Sequence, residues 1–373
     1  MADSASDVIV IGAGIVGCAT AYFLAREGRQ VTLFERDAVG GHASGFAFGG
    51  IIPSLGDVTH DAAGPLSSAS ERLHAELGES LSAESGVDFG YRRKPAVILA
   101  LNDADESALQ AASSALSRDP HANVRWVSRG ELTHIEARVS EVVRGGLYVG
   151  DAHELDPHNF TMALWKAAEK LGARQVASDV TGLVTADGRV TGVESGGERH
   201  MADAVVAAAG PWTGGLLSTI GVNIPISPLK GQILRMKADD PPMTVSLWWR
   251  GDYATTKPDG LMWIGATEEH AGFDENLTDA ARDQILSSVV EVLPYLATAE
   301  LVRQTACLRP VMSDGLPVIG PIPGMDGLYV ATGAGRNGIK LGPGMGRAVA
   351  DLVQGRAPCI DVSRLGADRF TGS

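Results

Sequence analysis

Two groups of residues in this 373-residue chain are of types and spacings that can do chemistry. The first is the glycine run Gly12, Gly14 and Gly17 in "VIVIGAGIVG", followed downstream by the acid Glu35. The second is Arg309, a guanidinium set inside "TACLRPVMSDGLPVIG", which otherwise reads as a buried strand and turn. A glycine-rich turn that opens a helix lets backbone N–H donors approach a phosphate. A guanidinium stays protonated, and its planar fork captures a carboxylate through two parallel hydrogen bonds. Arg309 therefore needs an anion, either a ligand's carboxylate or an ion-pair partner within the fold.

The elements around the glycines position them for a dinucleotide. Val8–Ile11 are four consecutive β-branched residues and predict a strand; an apolar helical pattern runs to Gly28, and Val31–Phe34 predict a second strand ending at Glu35. In such a βαβ unit Gly12 permits the tight turn, Gly14 admits a pyrophosphate and Gly17 lets the helix pack on the sheet. The terminal acid accepts from ribose hydroxyls. Glu35 disfavours a 2′-phosphate, which leaves FAD or NAD. The next stretch, "GGHASGFAFGGIIP", is small and glycine-rich, and reads either as a segment lying along a planar ring or as an ordinary loop.

The remaining pattern places these motifs in a larger α/β frame. Asp156 and Pro157 predict a helix start, with Phe160, Leu164, Ala167, Ala168 and Leu171 on its apolar face and Gly172 as its stop. Asp187-Gly188 predicts a hairpin, "ADAVVAAAGPW" a buried strand, and Leu328–Thr332 a strand entering a glycine-rich turn before a helix with Pro343 near its start. Thr278 predicts a second capped helix with Ile285, Leu286, Val289 and Leu293 on one face and Pro294 as stop. Pro225–Met236 and Tyr253–Thr267 read as strands. These assign 1–55, 146–215 and 305–373 to a cofactor-binding domain, and 56–145 and 216–304 to an inserted domain.

Composition narrows the function class. A net charge of -14 argues against nucleic-acid binding and against adhesion to an anionic membrane. The cysteines Cys18, Cys307 and Cys359 are odd in number and far apart, which suits a reducing compartment; with no leader pattern in "MADSASD" and no membrane-length apolar run, the cytoplasm is expected.

Taken together, "VIVIGAGIVG" with Glu35, "VVAAAGPW", "PLKGQI", "DGLMWIGAT", "LRPVMSDGLPVIG" and "GRNGIKLGP" resemble, in order and spacing, the FAD-dependent amine oxidases that include glycine oxidase, D-amino-acid oxidase and monomeric sarcosine oxidase. The resemblance implies an α/β fold: a glutathione-reductase-like, Rossmann-type FAD domain with an inserted α+β substrate domain built on an antiparallel sheet. It implies cofactor contacts at Gly12, Gly14, Ile15, Val16, Gly17, Glu35 and Arg36, and along His42, Ala43, Ser44, Gly49 and Gly50. Further contacts are implied at Val180, Gly210 and Trp212, and at Gly335, Asn337, Gly338, Ile339 and Lys340. The helix after Gly338 would turn its positive end toward the anion that develops on a reduced flavin.

The same resemblance gives Arg309 the substrate carboxylate, with Tyr253 as a second hydrogen-bonding partner. Lys340 departs from the glycine oxidase pattern, which usually has Leu there and His where Ala334 stands; it is similar instead to a sarcosine oxidase lysine that holds the substrate carboxylate. Cys307 stands where sarcosine oxidases attach flavin covalently, although "CLRP" follows the noncovalent pattern, so a thioether and a small buried hydrophobe are both readings of it. Trp248 and Trp249 are either core or an apolar wall for an N-substituent. The expected reaction takes hydride from Cα of a small amino acid or N-substituted glycine to the flavin, hydrolyses the imine, and returns electrons to O₂ as H₂O₂, with no side-chain base. The alternatives are a D-amino-acid dehydrogenase using a quinone or carrier, and a flavin-binding redox subunit without turnover.

Overall fold

The computed structural model describes residues 6–53, 62–118 and 122–370. Its first sheet grows from the β-branched run: the strand Ser6–Ile11 lies between Val31–Glu35 and Glu198–Ala207, both parallel to it. Arg174–Ala177 and Leu328–Thr332 extend the parallel array on its two sides. Parallel strands need crossover connections, and the first is the helix Ile15–Arg26. The hairpin Val180–Ala186/Arg189–Ser195 adds to the start of Glu198–Ala207, turning through Asp187 and Gly188 at φ 50° and 76°, the left-handed pair that a tight hairpin requires.

Helices Ile15–Arg26, Gly64–Ser85, Pro157–Lys170 and Gly338–Val353 share one apolar core on a face of this sheet, around Leu24, Leu81, Phe160 and Met345. The carboxylate of Asp156 caps Pro157–Lys170 by accepting from Asn159 N at 2.8 Å. Leu171, expected on the apolar face, is instead 49% exposed, because the helix ends at Lys170 and the residue that terminates it turns toward solvent. Thr278 caps Asp279–Val292 as its side chain implies.

The second sheet has eight strands among the described residues, running from Glu300–Met312 through Ile226–Lys237, Met262–Gly265, Asp252–Thr256 and Ser246–Trp249 to Ala96–Ala100, Gly145–Val149 and Val124–Ser128. It is antiparallel except where Ser246–Trp249 meets Ala96–Ala100 in parallel, and that one pairing joins two pieces distant in the chain. Two of the expected boundaries fall inside strands. Residue 305 falls inside Glu300–Met312, and residue 146 inside Gly145–Val149, both strands of the second sheet. Glu300–Met312 satisfies its backbone along almost its whole length against Ile226–Lys237, a long-range pairing that its own sequence does not announce. Helix Gly64–Ser85, expected in the inserted domain, packs instead with the first sheet's helices, where Leu66, Leu77 and Leu81 find apolar partners. The break at 55/56 and the start of the chain lie outside the described residues. Among the described residues no helix is long and apolar enough to cross a membrane.

Candidate active site

A cavity of about 890 Å³ runs between the carboxyl ends of the parallel strands and the second sheet. At one end the glycine turn sets its walls. Gly12 has φ +99°, and a Cβ there would lie 2.6 Å from Ala208 O; a Cβ on Gly17 would lie 1.9 Å from Gly12 O. Only glycine lets the turn close and the helix settle on it. Glu35 is held by two backbone donors, Ala13 N at 2.8 Å and Asp37 N at 2.9 Å, which fix its carboxylate beside the turn. Ser44 Oγ accepts from Ile15 N, 2.9 Å, in the first turn of the helix. The stretch after Gly41 is therefore not a plain loop: it makes the short helix Ala43–Phe46 and the strand Gly50–Ile51, and lines the cavity along its length.

Farther out, the guanidinium of Arg36 lies over the Trp212 ring at 4.3 Å, and the His42 ring is 4.8 Å from the same indole. His42 also hydrogen-bonds Asp37 at 2.9 Å, and that bond, with Arg36, holds the Asp37 carboxyl below its usual range. All the residues implied as cofactor contacts line the cavity except Gly17, which acts through packing alone. A mostly apolar cavity with a helix start, a glycine cradle and a positioned acid fits a dinucleotide.

The other end is built by the second sheet. Arg309 lies on Glu300–Met312 and donates from Nη1 to Thr267 O at 3.0 Å. Its guanidinium lies flat over Gly231 of the neighbouring strand: a Cβ there would sit 2.3 Å from Arg309 Cζ. Thr267 is fixed in turn by Gln232 N, 2.9 Å, and Glu269 Oε1, 2.5 Å. Tyr253 is buried in the same cavity, its ring 4.2 Å from Phe48 and 5.3 Å from Trp248. Burial raises the Tyr253 phenol well above its ordinary range, against the opposing field of Arg309, so it stays a neutral donor. Trp248 thus faces the cavity, whereas Trp249 is core and donates to Ser288 Oγ at 3.0 Å.

Cys307 lines the cavity as a free, buried thiol, and burial raises its pKa, which disfavours thiolate chemistry. Lys340 lines it too, but its Nζ pairs with Glu71 on Gly64–Ser85 at 3.1 Å. The carbonyls of Ile339 and Lys340 accept from His74 Nε2 at 3.0 and 3.2 Å, and Lys340 O accepts from Ser70 Oγ at 2.6 Å. The turn before the last helix is therefore latched by a helix that sequence reasoning assigned elsewhere. Sequence reasoning also missed Gly231, Thr267, Phe48 and Arg336. The lone glycine in "PLKGQI" was the one available signal.

This fold and cavity define a flavin-dependent oxidoreductase. The family model for FAD dependent oxidoreductases matches residues 7–352, and the chain belongs to that family. It is 35% identical over 362 residues to a glycine oxidase of Pseudomonas aeruginosa, covering 95% of this chain and 96% of that one. The crystal structure of glycine oxidase from Geobacillus kaustophilus superposes with a TM-score of 0.91 at 28% identity, covering 98% of both chains. That of iminodiacetate oxidase from a Chelativorans species gives a TM-score of 0.89 at 26% identity, covering 96% of this chain and 98% of that one.

Proposed function

We propose that this FAD-dependent enzyme oxidises glycine or an N-substituted glycine at the C–N bond, with O₂ as final acceptor. The observation that carries this is the buried end of the cavity, where Arg309 and Tyr253 converge with no carboxylate among the described lining residues at that end. In this reading the parallel sheet and its helices hold the cofactor: Gly12, Gly14, Ile15 and Val16 at the pyrophosphate, Glu35 at the ribose, and Arg36, His42, Val180 and Trp212 around the adenosine. Ala43, Ser44, Gly49, Gly50 and Gly210, with Gly335 to Lys340, enclose the rest. The second sheet presents the substrate.

FAD, when bound, supplies two-electron chemistry. The chain's own task is orientation and electrostatics. Arg309 clamps the carboxylate, and Gly231 and Thr267 keep its fork from rotating. Tyr253 adds a neutral donor, Phe48 and Trp248 exclude water, and Lys340 contributes positive charge while anchored on Glu71. The flavin is held noncovalently in this reading, with Cys307 as a small apolar wall. The cytoplasm is the assigned compartment, in keeping with three cysteines that form no disulfide. Purified enzyme is to be assayed with glycine, sarcosine, N-ethylglycine and D-alanine, following H₂O₂ and dye reduction together. H₂O₂ release with at least one of them is expected; inactivity with all four would sink the proposal, and dye reduction without peroxide would replace O₂ by a carrier.

A further inference from the structure

The segment that leaves the second sheet for helix Asp279–Val292 crosses to residues of the first sheet's side of the cavity. Beyond the bridge between Glu269 and Lys230, residues 270–278 form neither helix nor strand, and Gly272 to Leu277 are exposed. Between 270 and 277 the described residues make one backbone–backbone hydrogen bond, from Asp274 N to Ala271 O at 3.2 Å. A stretch with so little internal bonding opens at low local cost.

Three consecutive side chains nevertheless hold it down, each on a different element. The Phe273 ring lies 5.9 Å from the Trp212 ring. The Asp274 carboxylate accepts from Lys230 Nζ at 3.3 Å, and Glu275 faces His42 Nδ1 at 3.6 Å. Trp212 and His42 both line the cavity at its cofactor end, and the Glu275 carboxylate adds, after burial, to the raised pKa of Cys307 inside it. The outer two contacts are weak, since Phe273 is 55% exposed and the Glu275 side chain 40%. The Lys230 ammonium, only 1% exposed, has Glu269 as a second carboxylate 3.9 Å away. Letting go of Asp274 therefore does not strand a buried charge, and the segment can lift without breaking a strand pairing of either sheet.

Resting on the reading of Arg36, His42 and Trp212 as the wall around the adenosine, we infer that Phe273, Asp274 and Glu275 form a clasp over that wall, and that FAD enters and leaves the cavity only when the clasp is open. None of the three lines the cavity. They touch its wall, so they set how often the path is open rather than how tightly FAD is held. Loosening the clasp then speeds release and uptake by the same factor and leaves Kd nearly unchanged. Losing a residue that touches the cofactor speeds release alone and weakens Kd.

The test dilutes the holoenzyme and follows the rise of free-flavin fluorescence: the time course gives the release rate, and the plateaus over a dilution series give Kd. Phe273→Ala should speed release roughly fivefold, the worth of one aromatic pair, and Asp274→Asn about threefold. Kd should stay within about twofold of wild type in both. Both side chains are exposed, so neither change disturbs the core. Trp212→Ala is the contrast, with faster release and a Kd weakened in proportion. Release unchanged in both clasp variants, or Kd weakening in step with release in them, overturns the inference and leaves the adenosine wall standing. A Trp212→Ala holoenzyme with wild-type release and Kd overturns the placement of the adenosine and the clasp with it.

Discussion

The two ends of the cavity are built in different ways. The cofactor end comes largely from one continuous segment and works through backbone: a turn of glycines, a helix start, and an acid pinned by Ala13 N and Asp37 N. The proposed substrate end works through side chains from separate stretches, Arg309 on one strand, Gly231 on its neighbour, Tyr253 on a third and Lys340 on the last helix. A backbone cradle tolerates no added atom, whereas a side-chain clamp tolerates change at the cost of affinity. The first end should therefore fail as a whole, and the second in graded steps.

The largest effect is expected at the cradle. Gly17→Val puts a side chain where even a Cβ meets Gly12 O at 1.9 Å, so the turn cannot close. The purified variant should carry almost no flavin by absorbance; a fully yellow protein would show the turn to be more yielding than its geometry. Next comes Arg309→Leu, which should cut kcat/KM for a carboxylated amine by about 10²-fold or more, within the ~2–5 kcal/mol of a buried charge contact, while flavin content holds. Gly231→Ala should act in the same direction but less, by roughly tenfold, because the fork must tilt rather than vanish. Equal kinetics in wild type and Gly231→Ala would mean that the flat stacking of Arg309 on this strand does not matter.

The latch between the two ends should respond to pH. His74 is buried, its Nε2 donates to Ile339 O and Lys340 O, and its Nδ1 has no partner. Burial lowers its pKa from 6.5 to about 4, outweighing the two carbonyls, which favour the charged form, while nearby Lys340 and His153 reinforce the lowering. Because the folded pKa lies below the unfolded one, the unfolded chain binds more protons between these values. Stability is then full above pH 6.5 and is lost as pH falls toward about 4, by on the order of 2–3 kcal/mol. His74→Gln keeps a donor but does not titrate, so denaturant midpoints across this window should fall less steeply than in wild type; parallel curves would show that His74 does not stay neutral. The smallest effect belongs to Asp156→Ala, far from the chemistry, which should lose about 1 kcal/mol of stability with its cap and leave turnover alone.

The cofactor end was legible in residue order because its elements are neighbours in the chain: Val8–Ile11, the glycines and Glu35 announce a strand, a turn and an acid at the next strand's end within one short stretch. Arg309 was legible as an anomaly, a charge in an apolar run, though not the shape of its seat. Gly231 shows in the sequence only as a lone glycine in "PLKGQI", because the need for a bare Cα arises only when Ile226–Lys237 pairs with Glu300–Met312 in the register that brings Gly231 against Cys307. The expected boundaries at 146 and 305 fall inside strands for the same reason, since a strand's pattern shows that it is buried but not which sheet it joins.

By itself, then, the sequence determined a dinucleotide-binding α/β chain with a guanidinium out of place in an apolar run, because glycine spacing, β-branched runs and one such charge are local chemistry. The tertiary structure decided what surrounds that arginine. It set Tyr253, Phe48 and Trp248 beside it, drew the Lys340 ammonium to Glu71, and brought Arg336 to the rim through Glu268 and Gly251. Those neighbours lie far apart in the chain and meet only through strand pairing and helix packing, whose free energy is spread over the whole core rather than written at any one residue.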